Sequence, residues 1–495
     1  MKILRLLFEI KIEILNFKRI NLYGLSIRIN MNTSTFEQKP AKIIPLNNTV
    51  LVPETRQTPV FDEIQARFNK LQNASKYKST FDLDEYRKLE LRFADKKING
   101  GIVFKSPFKV VNSHSTCQQC LYSFEVDTYG RGCLHDCVYC YAKAELTVHG
   151  YWNNPMPAPV DITEVWKVFH TVFETDKKTK WRKILEKRIP VRIGSMSDSF
   201  MFMDKKYKVT QELLKLLNFY EYPYIIFTRS DLVADDTYIE LLNPNFSSIQ
   251  MSIASTNDEL NKKIEPGTPP AKRRLEALRK LSRAGFWTTV RMNPFFPMYP
   301  DGYFTDPNFD RSKMPEPFNF SSFEMIDEIA SYGIPSVLTG IVRLSGFSLN
   351  QIEKAVGRNL REFYRDKKRH SISSERKSRD YHYSANEVRA YYERIHAKCI
   401  QNGIQFTTCY IGNGEDQFWS DQDLWSNKTD CCNAKARVQS FNTDSREIPW
   451  DTRLKFAKHK DLAFSNDPEN LHTKLGPMLR IEESGISLIE GHFNA

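Results

Sequence analysis

Three cysteines within one short segment have the spacing of an iron–sulfur ligand set. Cys133 is separated by three residues from Cys137, which is separated by two residues from Cys140. A short loop brings three thiolates to one side, where they can hold a [4Fe–4S] cluster and leave its fourth iron open. A structural zinc site would require a fourth ligand nearby. The spacing therefore favours a cluster with one open iron, with zinc as the alternative.

This segment resembles the radical S-adenosylmethionine (SAM) superfamily, in which an aromatic residue, here Tyr139, precedes the last cysteine. The resemblance implies that the open iron binds the amino and carboxylate groups of SAM. It also implies that an electron passed to the sulfonium gives a 5′-deoxyadenosyl radical. Tyr139 is then a cofactor-binding residue, and the electron comes from an external donor of the flavodoxin or ferredoxin type.

Further motifs between about residues 115 and 345 resemble the spore photoproduct lyase family, which splits a thymine photodimer in DNA. They are Ser252–Asn257, Ile264–Leu278, Ala284–Gly285 and Arg291–Pro297. The resemblance implies that Ser197, Arg229 and Ser252 contact SAM at the ends of strands. A guanidinium such as that of Arg229 can bind a carboxylate through two parallel hydrogen bonds.

The chain departs from spore photoproduct lyase in one respect. In that family a cysteine on the second core strand returns a hydrogen atom to the product. Residues 194–198 read Gly-Ser-Met-Ser-Asp and contain no cysteine. Because a serine O–H does not readily give up a hydrogen atom, we do not expect the thymine-dimer reaction here.

The remaining cysteines suggest a second site. A four-thiolate set for zinc or a second cluster can be drawn from Cys117, Cys120, Cys431 and Cys432. Cys409 ends a predicted strand, where its thiol could face the active site as a catalytic hydrogen donor. Unpaired buried thiols are the alternative for all five.

Strand-like runs alternate with amphipathic stretches, which predicts an α/β fold with a parallel sheet. The predicted strands are 121–126, 190–194, 222–227, 247–253, 286–291, 336–342 and 403–409. The predicted helices between them are 161–175, 209–219, 271–284, 322–331 and 348–364. We expect a partial (β/α)6 parallel barrel with an N-terminal helical extension and a C-terminal extension, and the cluster at its C-terminal mouth.

Composition shifts divide the chain into five predicted parts. They are an extended arm at 1–60, a helical extension at 61–114, the barrel core at 115–364, a mobile basic loop at 365–384 and a cysteine-containing C-terminal extension at 385–495. Within the arm, residues 1–30 read as an overextended start, with Met31 as the preferred first residue.

The overall charge favours a polyanionic partner. The chain has a formal net charge of +11, and clustered Lys and Arg bind phosphate backbones with release of counterions. Crowding of cysteines into two groups suggests metal in a reducing compartment, so we expect a cytoplasmic protein. No apolar run approaches the length of a membrane span. We therefore expect a radical enzyme acting on a base in nucleic acid. The alternatives are a radical enzyme acting on a peptide or small metabolite, and a non-catalytic zinc-bound nucleic-acid-binding module.

Overall fold

The computed structural model describes residues 108–110, 120–130, 132–148, 157–159, 162–370, 377–409, 418–449, 452–453, 479–482 and 485–488. The predicted arm at 1–60, most of the predicted helical extension and Cys117 lie outside the described residues. Within them, no helix has both the length and the apolar character that crossing a membrane would require.

The described chain alternates strands with helices over most of its length. The strands are β1 (Phe108–Val110), β2 (Phe124–Val126), β3 (Tyr129–Gly130), β4 (Ala158–Pro159), β5 (Val191–Ile193), β6 (Tyr224–Thr228), β7 (Ser247–Ser252), β8 (Trp287–Phe295), β9 (Ser336–Ile341), β10 (Leu344–Ser345), β11 (Arg365–His370), β12 (Lys377–His382), β13 (Gln405–Thr408), β14 (Leu479–Glu482) and β15 (Gly485–Leu488). The α-helices are α1 (Tyr141–Val148), α2 (Ile162–Phe173), α3 (Arg182–Leu185), α4 (Asp204–Tyr207), α5 (Val209–Phe219), α6 (Asp236–Ile239), α7 (Asp258–Ile264), α8 (Ala271–Arg283), α9 (Met325–Ser331), α10 (Gly346–Val356) and α11 (Ala385–Gln401).

One eight-stranded sheet forms the framework, in the order β1-β2-β5-β6-β7-β8-β9-β13. β1 pairs antiparallel with β2, and the other neighbours pair in parallel. The predicted α/β fold with a partial parallel barrel is confirmed. The described sheet has seven parallel strands rather than six, because β13 pairs with β9. The sheet therefore continues beyond residue 364, where we had placed the end of the core.

The burial pattern explains why these segments form a parallel sheet covered by helices. Every residue of β6 is buried, as expected of a strand that is covered on both faces. In α8, Leu275, Leu278 and Leu281 are buried at helical spacing, whereas Arg273 is exposed. Gly285 follows this helix with a φ of +91°, a conformation that glycine adopts without steric cost.

Two segments differ from the sequence-based expectation. The basic stretch predicted as a mobile loop forms an antiparallel hairpin of β11 and β12, and β10 adds a third strand. Dense charge concealed the extended backbone, which is anchored where Tyr381 and Tyr383 are buried. β1 is a strand within the predicted helical extension, because its backbone pairs with the edge of β2.

The C-terminal extension packs against one face of the sheet. That face carries Ile225, Phe227 and Leu338, and we call it the inner face. The residues of the extension that join them in one buried cluster are Trp425, Cys431, Cys432, Ala434, Val438 and Phe441. Buried polar contacts fix the same arrangement, since the Tyr122 hydroxyl donates to Asp430 at 3.2 Å.

Candidate active site

The three-cysteine segment forms a tight loop between β3 and α1, which we call the cluster loop (residues 133–140). The Asp136 N–H donates to the Cys133 carbonyl at 3.1 Å, and the Cys140 N–H donates to the Cys137 carbonyl at 3.2 Å. Asp136 has a φ of +47°, in the left-handed region that aspartate tolerates better than most residues. Successive turns therefore bring all three cysteines onto one short loop.

The cysteine sulfurs of the cluster loop interact with one another. Burial raises the pKa of Cys133 to about 12, and negative charge on Asp198 and on Cys140 adds to the effect. Burial also raises the pKa of Cys137, with further increases from Glu265, Cys140 and Cys133. Within the described residues, no three Cys, His, Asp or Glu side chains converge on a single ion. Three thiols on one short loop can each bind one iron of a [4Fe–4S] cluster.

The connection between α7 and α8 anchors the cluster loop from one side. The Val138 N–H donates to the Ile264 carbonyl at 3.0 Å, and the Gly267 N–H donates to the His135 carbonyl at 3.0 Å. A Cβ at position 267 would lie 2.0 Å from the Leu134 carbonyl oxygen. The loop and this connection therefore pack closely enough to require glycine.

Asp198 anchors the loop from the other side. Its carboxylate accepts hydrogen bonds from His135 Nε2 at 3.0 Å, from the Thr228 hydroxyl at 2.9 Å and from the Arg229 N–H at 2.6 Å. Burial alone would raise the pKa of Asp198, but the charge and hydrogen bond of His135 outweigh it and lower that pKa. The sequence analysis did not identify Asp198 or His135 as site residues. Asp198 could have been recognised, because it is an acidic residue that directly follows Ser197 beyond a predicted strand.

A buried charge network adjoins Tyr139. The Tyr139 hydroxyl donates to Glu265, and Arg274 lies 2.9 Å from the Glu265 carboxylate. Burial would raise the pKa of Glu265, but Arg274 and Arg229 lower it, so this carboxyl stays ionised. Arg274 also donates to the Ser252 carbonyl at 2.9 Å. Two guanidinium groups thus share one carboxylate, which leaves net positive charge beside the cluster loop.

The guanidinium of Arg229 has a hydrogen-bond donor that is not used within the protein. Its Nη2 donates to the Tyr139 hydroxyl at 3.2 Å, and its guanidinium carbon lies 5.6 Å from the centre of the Tyr139 ring. Its Nε is buried without a hydrogen-bond partner, 3.7 Å from the Glu265 carboxylate. A buried, unsatisfied donor on a charged group suits a carboxylate ligand. The residues present therefore fit the amino-acid moiety of SAM.

The structure places the other predicted SAM-binding residues close to this network. Ser197 lies beyond β5, and its hydroxyl donates to the Tyr129 carbonyl at 2.5 Å. Ser252 is the last residue of β7. Both serines are buried, and Arg229 follows β6 directly. The three positions thus lie at the carboxyl ends of neighbouring parallel strands, where ligands of open α/β sheets bind.

The remaining predicted cysteines occupy a different place. Cys409 follows β13, and Arg291 Nη2 lies 3.8 Å from its sulfur. Cys409 packs against the buried cluster on the inner face that contains Cys431 and Cys432. Cys120 directly precedes Leu121 of the same cluster. Residues 117 and 120 were predicted as a pair, but Cys117 lies outside the described residues.

Known proteins are similar to the part of the chain that contains the site. Residues 128–306 match the radical SAM superfamily. An uncharacterized protein of Acidianus two-tailed virus is 28% identical over 45% of this chain and 68% of its own length. An uncharacterized protein of Methanocaldococcus jannaschii is 28% identical over 34% of this chain and 58% of its own length. One of Mycobacterium tuberculosis is 26% identical over 36% of this chain and 52% of its own length.

Two solved structures are similar at low identity. A variant of spore photoproduct lyase with bound SAM and dinucleoside spore photoproduct has a TM-score of 0.43 and 15% identity, and the match covers 73% of this chain and 97% of that chain. SuiB of Streptococcus suis bound to SAM has a TM-score of 0.27 and 12% identity, with 48% of this chain and 43% of that chain covered. The family match contains the cluster loop and every predicted SAM-binding residue. Over residues 128–306, which contain the site, the chain is similar to the radical SAM superfamily.

Proposed function

We propose that this chain cleaves SAM reductively at the cluster loop and uses the 5′-deoxyadenosyl radical to take a hydrogen atom from a base in nucleic acid, which it modifies or repairs. One observation carries the first half of the proposal. The cluster loop lies beside Arg229, whose buried Nε has no hydrogen-bond partner, and the two together suit an open iron and a carboxylate.

Each residue of the site has a role in this proposal. Cys133, Cys137 and Cys140 would hold the [4Fe–4S] cluster, which supplies the electron for cleavage of SAM. Arg229 would bind the carboxylate of SAM, with Tyr139 fixing the plane of the guanidinium. Cys137 and Tyr139 are buried, and electrostatic interactions are stronger in such a low-dielectric surrounding. The reducing electron would come from a partner of the flavodoxin or ferredoxin type.

The basic hairpin supports nucleic acid as the substrate class. β11 and β12 are rich in Lys, Arg and His, and they pair in register, with Lys368 opposite Arg379. β10 joins this hairpin to the carboxyl end of β9, and helix α1, which follows the cluster loop, contacts β10. The basic hairpin therefore lies near the carboxyl ends of the parallel strands, where the site is, and its Lys and Arg residues can attract phosphate groups.

Reductive cleavage is tested with anaerobically reconstituted protein. With dithionite, the wild type should convert SAM to 5′-deoxyadenosine, measured by chromatography. Cys137→Ala should lose this activity because it removes one of three cluster ligands. Cys399→Ala is the matched control, since Cys399 is a buried cysteine of α11. Activity retained in Cys137→Ala would show that the cluster is held elsewhere.

The substrate class is tested by binding of single-stranded oligonucleotides at increasing salt. The wild type should show a steep fall of log affinity with log salt. Replacing Lys367, Lys368 and Arg369 by Gln should flatten the slope by about 0.7 for each phosphate group of a single strand that is no longer neutralised. Replacing Lys177, Lys178 and Lys180, which lie before α3, is the control. Equal slopes in all three proteins would favour a peptide or small metabolite.

The proposal does not include the thymine-dimer reaction. The segment after β5 lacks the donor cysteine of spore photoproduct lyase, and Ser195 and Ser197 stand there instead. Incubated with DNA that contains the spore lesion, the protein should cleave SAM but restore little thymine. Efficient repair would require a hydrogen donor elsewhere in the chain, for which Cys409 is the predicted candidate.

A further inference from the structure

Two arginines, Arg192 and Arg291, lie on the inner face toward the carboxyl ends of the parallel strands, and we call them the arginine pair. Arg192 of β5 is in register with Ile225, and Arg291 of β8 is in register with Leu338. Because residues in register on neighbouring strands point to the same side of a sheet, both arginines belong to the inner face. Their guanidinium carbons lie 5.2 and 4.4 Å, respectively, from the centre of the Phe227 ring.

The arginine pair adjoins the candidate active site. Arg192 Nη2 donates to the Ser195 hydroxyl at 3.2 Å, and the Ser195 carbonyl accepts from the Tyr141 hydroxyl at 2.7 Å. Tyr141 is the first residue of α1, which follows the cluster loop directly. Arg291 is in register with Ser252, the last residue of β7. The pair is therefore connected to the cluster loop on one side and lies beside a predicted SAM-binding residue on the other.

The two arginines differ in how their charge is balanced. Arg192 lies 3.3 Å from the buried carboxylate of Glu125. Arg291 donates to the side-chain oxygen of Gln250 at 2.7 Å, and its Nη2 lies 3.8 Å from the Cys409 sulfur. Within the described part of the chain, Arg291 forms no ion pair with a carboxylate. Taking a cation out of water without a counter-ion is unfavourable, and an anionic ligand would supply that counter-ion.

Gln250 fixes the orientation of Arg291. The side-chain amide of Gln250 donates to the Cys432 carbonyl at 3.1 Å, which turns its oxygen toward the guanidinium. A guanidinium held by such a contact and by an aromatic ring can bind two oxygens of a phosphate group through parallel N–H bonds. Arg192, Ser195 and Arg291 are each partly exposed to solvent. A ligand can therefore reach the pair from the side of the cluster loop.

We propose that Arg291, with Arg192 beside it, binds a phosphate group of the substrate and so holds the nucleotide to be modified next to the cluster loop. This inference rests on the proposed nucleic-acid substrate and assigns a contact to its target nucleotide. Phosphate fits the pair because it offers oxygens to two guanidinium groups at once. The carboxylate of SAM is the competing ligand, but the buried Nε of Arg229 already suits it.

The experiment compares deoxynucleoside and ribonucleoside 5′-monophosphates with the corresponding nucleosides. Binding is measured by isothermal titration to the full-length, reconstituted protein with SAM under anaerobic conditions. At least one monophosphate should bind more tightly than its nucleoside. Arg291→Gln should raise the Kd of that monophosphate by about 10- to 100-fold, the effect of losing a charge-assisted hydrogen bond. The Kd of the nucleoside should not change. Arg291→Lys should restore only part of the affinity, because an ammonium group cannot bind two oxygens in parallel.

Arg188→Gln is the matched control. Arg188 also lies over a phenylalanine ring, with 5.9 Å between its guanidinium carbon and the centre of the Phe173 ring. It precedes β5, at the amino ends of the strands, where it donates to the Tyr220 carbonyl at 3.0 Å. This variant should bind the monophosphate as the wild type does. If Arg291→Gln does not fold, Gln250→Glu serves instead, because a carboxylate beside Arg291 should compete with phosphate and weaken its binding.

The proposal is wrong if monophosphate and nucleoside bind the wild type equally, or if Arg291→Gln binds the monophosphate as Arg188→Gln does. It is also wrong if Arg291→Gln loses affinity for SAM and keeps its affinity for the monophosphate, since Arg291 would then be a cofactor-binding residue. Reductive cleavage of SAM and the salt dependence of oligonucleotide binding test the proposed function separately. If those two results are as expected and the monophosphate shows no dependence on Arg291, only this inference fails.

Discussion

At the residue scale, the charges around the cluster loop depend on Glu265. This fully buried carboxylate faces Arg274 at 2.9 Å and Arg229 at 3.7 Å. One negative charge between two positive ones leaves Arg229 able to bind a second anion. Sequence patterns could not show that two arginines share Glu265, because Arg229 and Arg274 come from different strand–helix units.

Replacement of Arg229 should weaken SAM binding and spare the cluster. A charge-assisted hydrogen bond contributes about 1.5–3 kcal/mol, so Arg229→Met should raise the Kd for SAM by about 10- to 100-fold. Iron content should stay at the wild-type level, since the guanidinium makes no bond to the cluster. Arg273→Met, on an exposed face and paired with Asp231, is the control. Unchanged SAM affinity, measured by isothermal titration under anaerobic conditions, would remove Arg229 from the SAM site.

Replacement of Glu265 should destabilise the fold. Glu265→Gln leaves Arg274 as a buried charge without its counter-ion, which costs about 3–5 kcal/mol in comparable sites. The free energy of unfolding, measured with urea, should fall by this amount. Glu259→Gln breaks an exposed pair with Lys262 and should cost much less, because solvent screens exposed ion pairs. A similar loss of unfolding free energy in both variants would mean that the buried network stabilises the fold no more than an exposed ion pair does.

The same network gives a pH dependence with a definite sign. The pKa of Glu265 is lowered in the folded protein, so its contribution to stability is complete above the ordinary glutamate pKa. It is lost as the pH falls through the lowered folded value. In Glu265→Gln this loss should be missing from the acid side of the stability profile.

At the scale of elements, the cluster loop depends on two neighbours that hold it. The α7–α8 connection binds it through Val138 and Gly267, and the segment after β5 binds it through Asp198. Sequence periodicity predicted all seven parallel strands and five of the eleven described α-helices, because buried strands and amphipathic helices have distinct patterns. It could not predict the hairpin of β11 and β12, since cross-strand pairing of charged residues leaves no apolar period.

Gly267→Ala should separate the cluster loop from the α7–α8 connection. The added Cβ would lie 2.0 Å from the Leu134 carbonyl oxygen and 2.7 Å from the His135 Cα, and both are backbone atoms that cannot turn aside. We expect lower iron retention after gel filtration and faster hydrogen exchange in residues 133–140. Gly357→Ala is the control, because it has a φ of +68° and no atom near the new Cβ. It should cost only about 1 kcal/mol, with the loop unchanged. Wild-type iron retention in Gly267→Ala would show that the loop tolerates displacement.

At the scale of the whole molecule, the sheet and the C-terminal extension share one buried layer. Tyr122 binds Asp430, Ser123 binds Ser445 at 2.9 Å, and Asn433 binds Ser336 at 3.0 Å. The sequence predicted an extension with cysteines but not where it packs, because no periodic pattern encodes contacts between segments so far apart in the chain. The placement arises from shape and polar complementarity that only the folded sheet provides.

Asp430 tests whether this layer is one cooperative unit. Its buried carboxylate accepts from the Tyr122 hydroxyl at 3.2 Å and from the Ala434 and Lys435 N–H groups at 3.0 and 3.1 Å. Asp430→Ala leaves these donors unpaired, and each buried unpaired group costs about 1–3 kcal/mol. Hydrogen exchange should therefore accelerate in residues 430–438 and also in residues 121–126, on the sheet side of the contact. Asp423→Ala, which removes a largely exposed partner of Arg389, should leave both segments protected. If exchange accelerates only in residues 430–438, the extension unfolds locally and its stability is independent of the sheet. In that case the contacts of Cys431 and Cys432 with the sheet do not stabilise the sheet side of the layer.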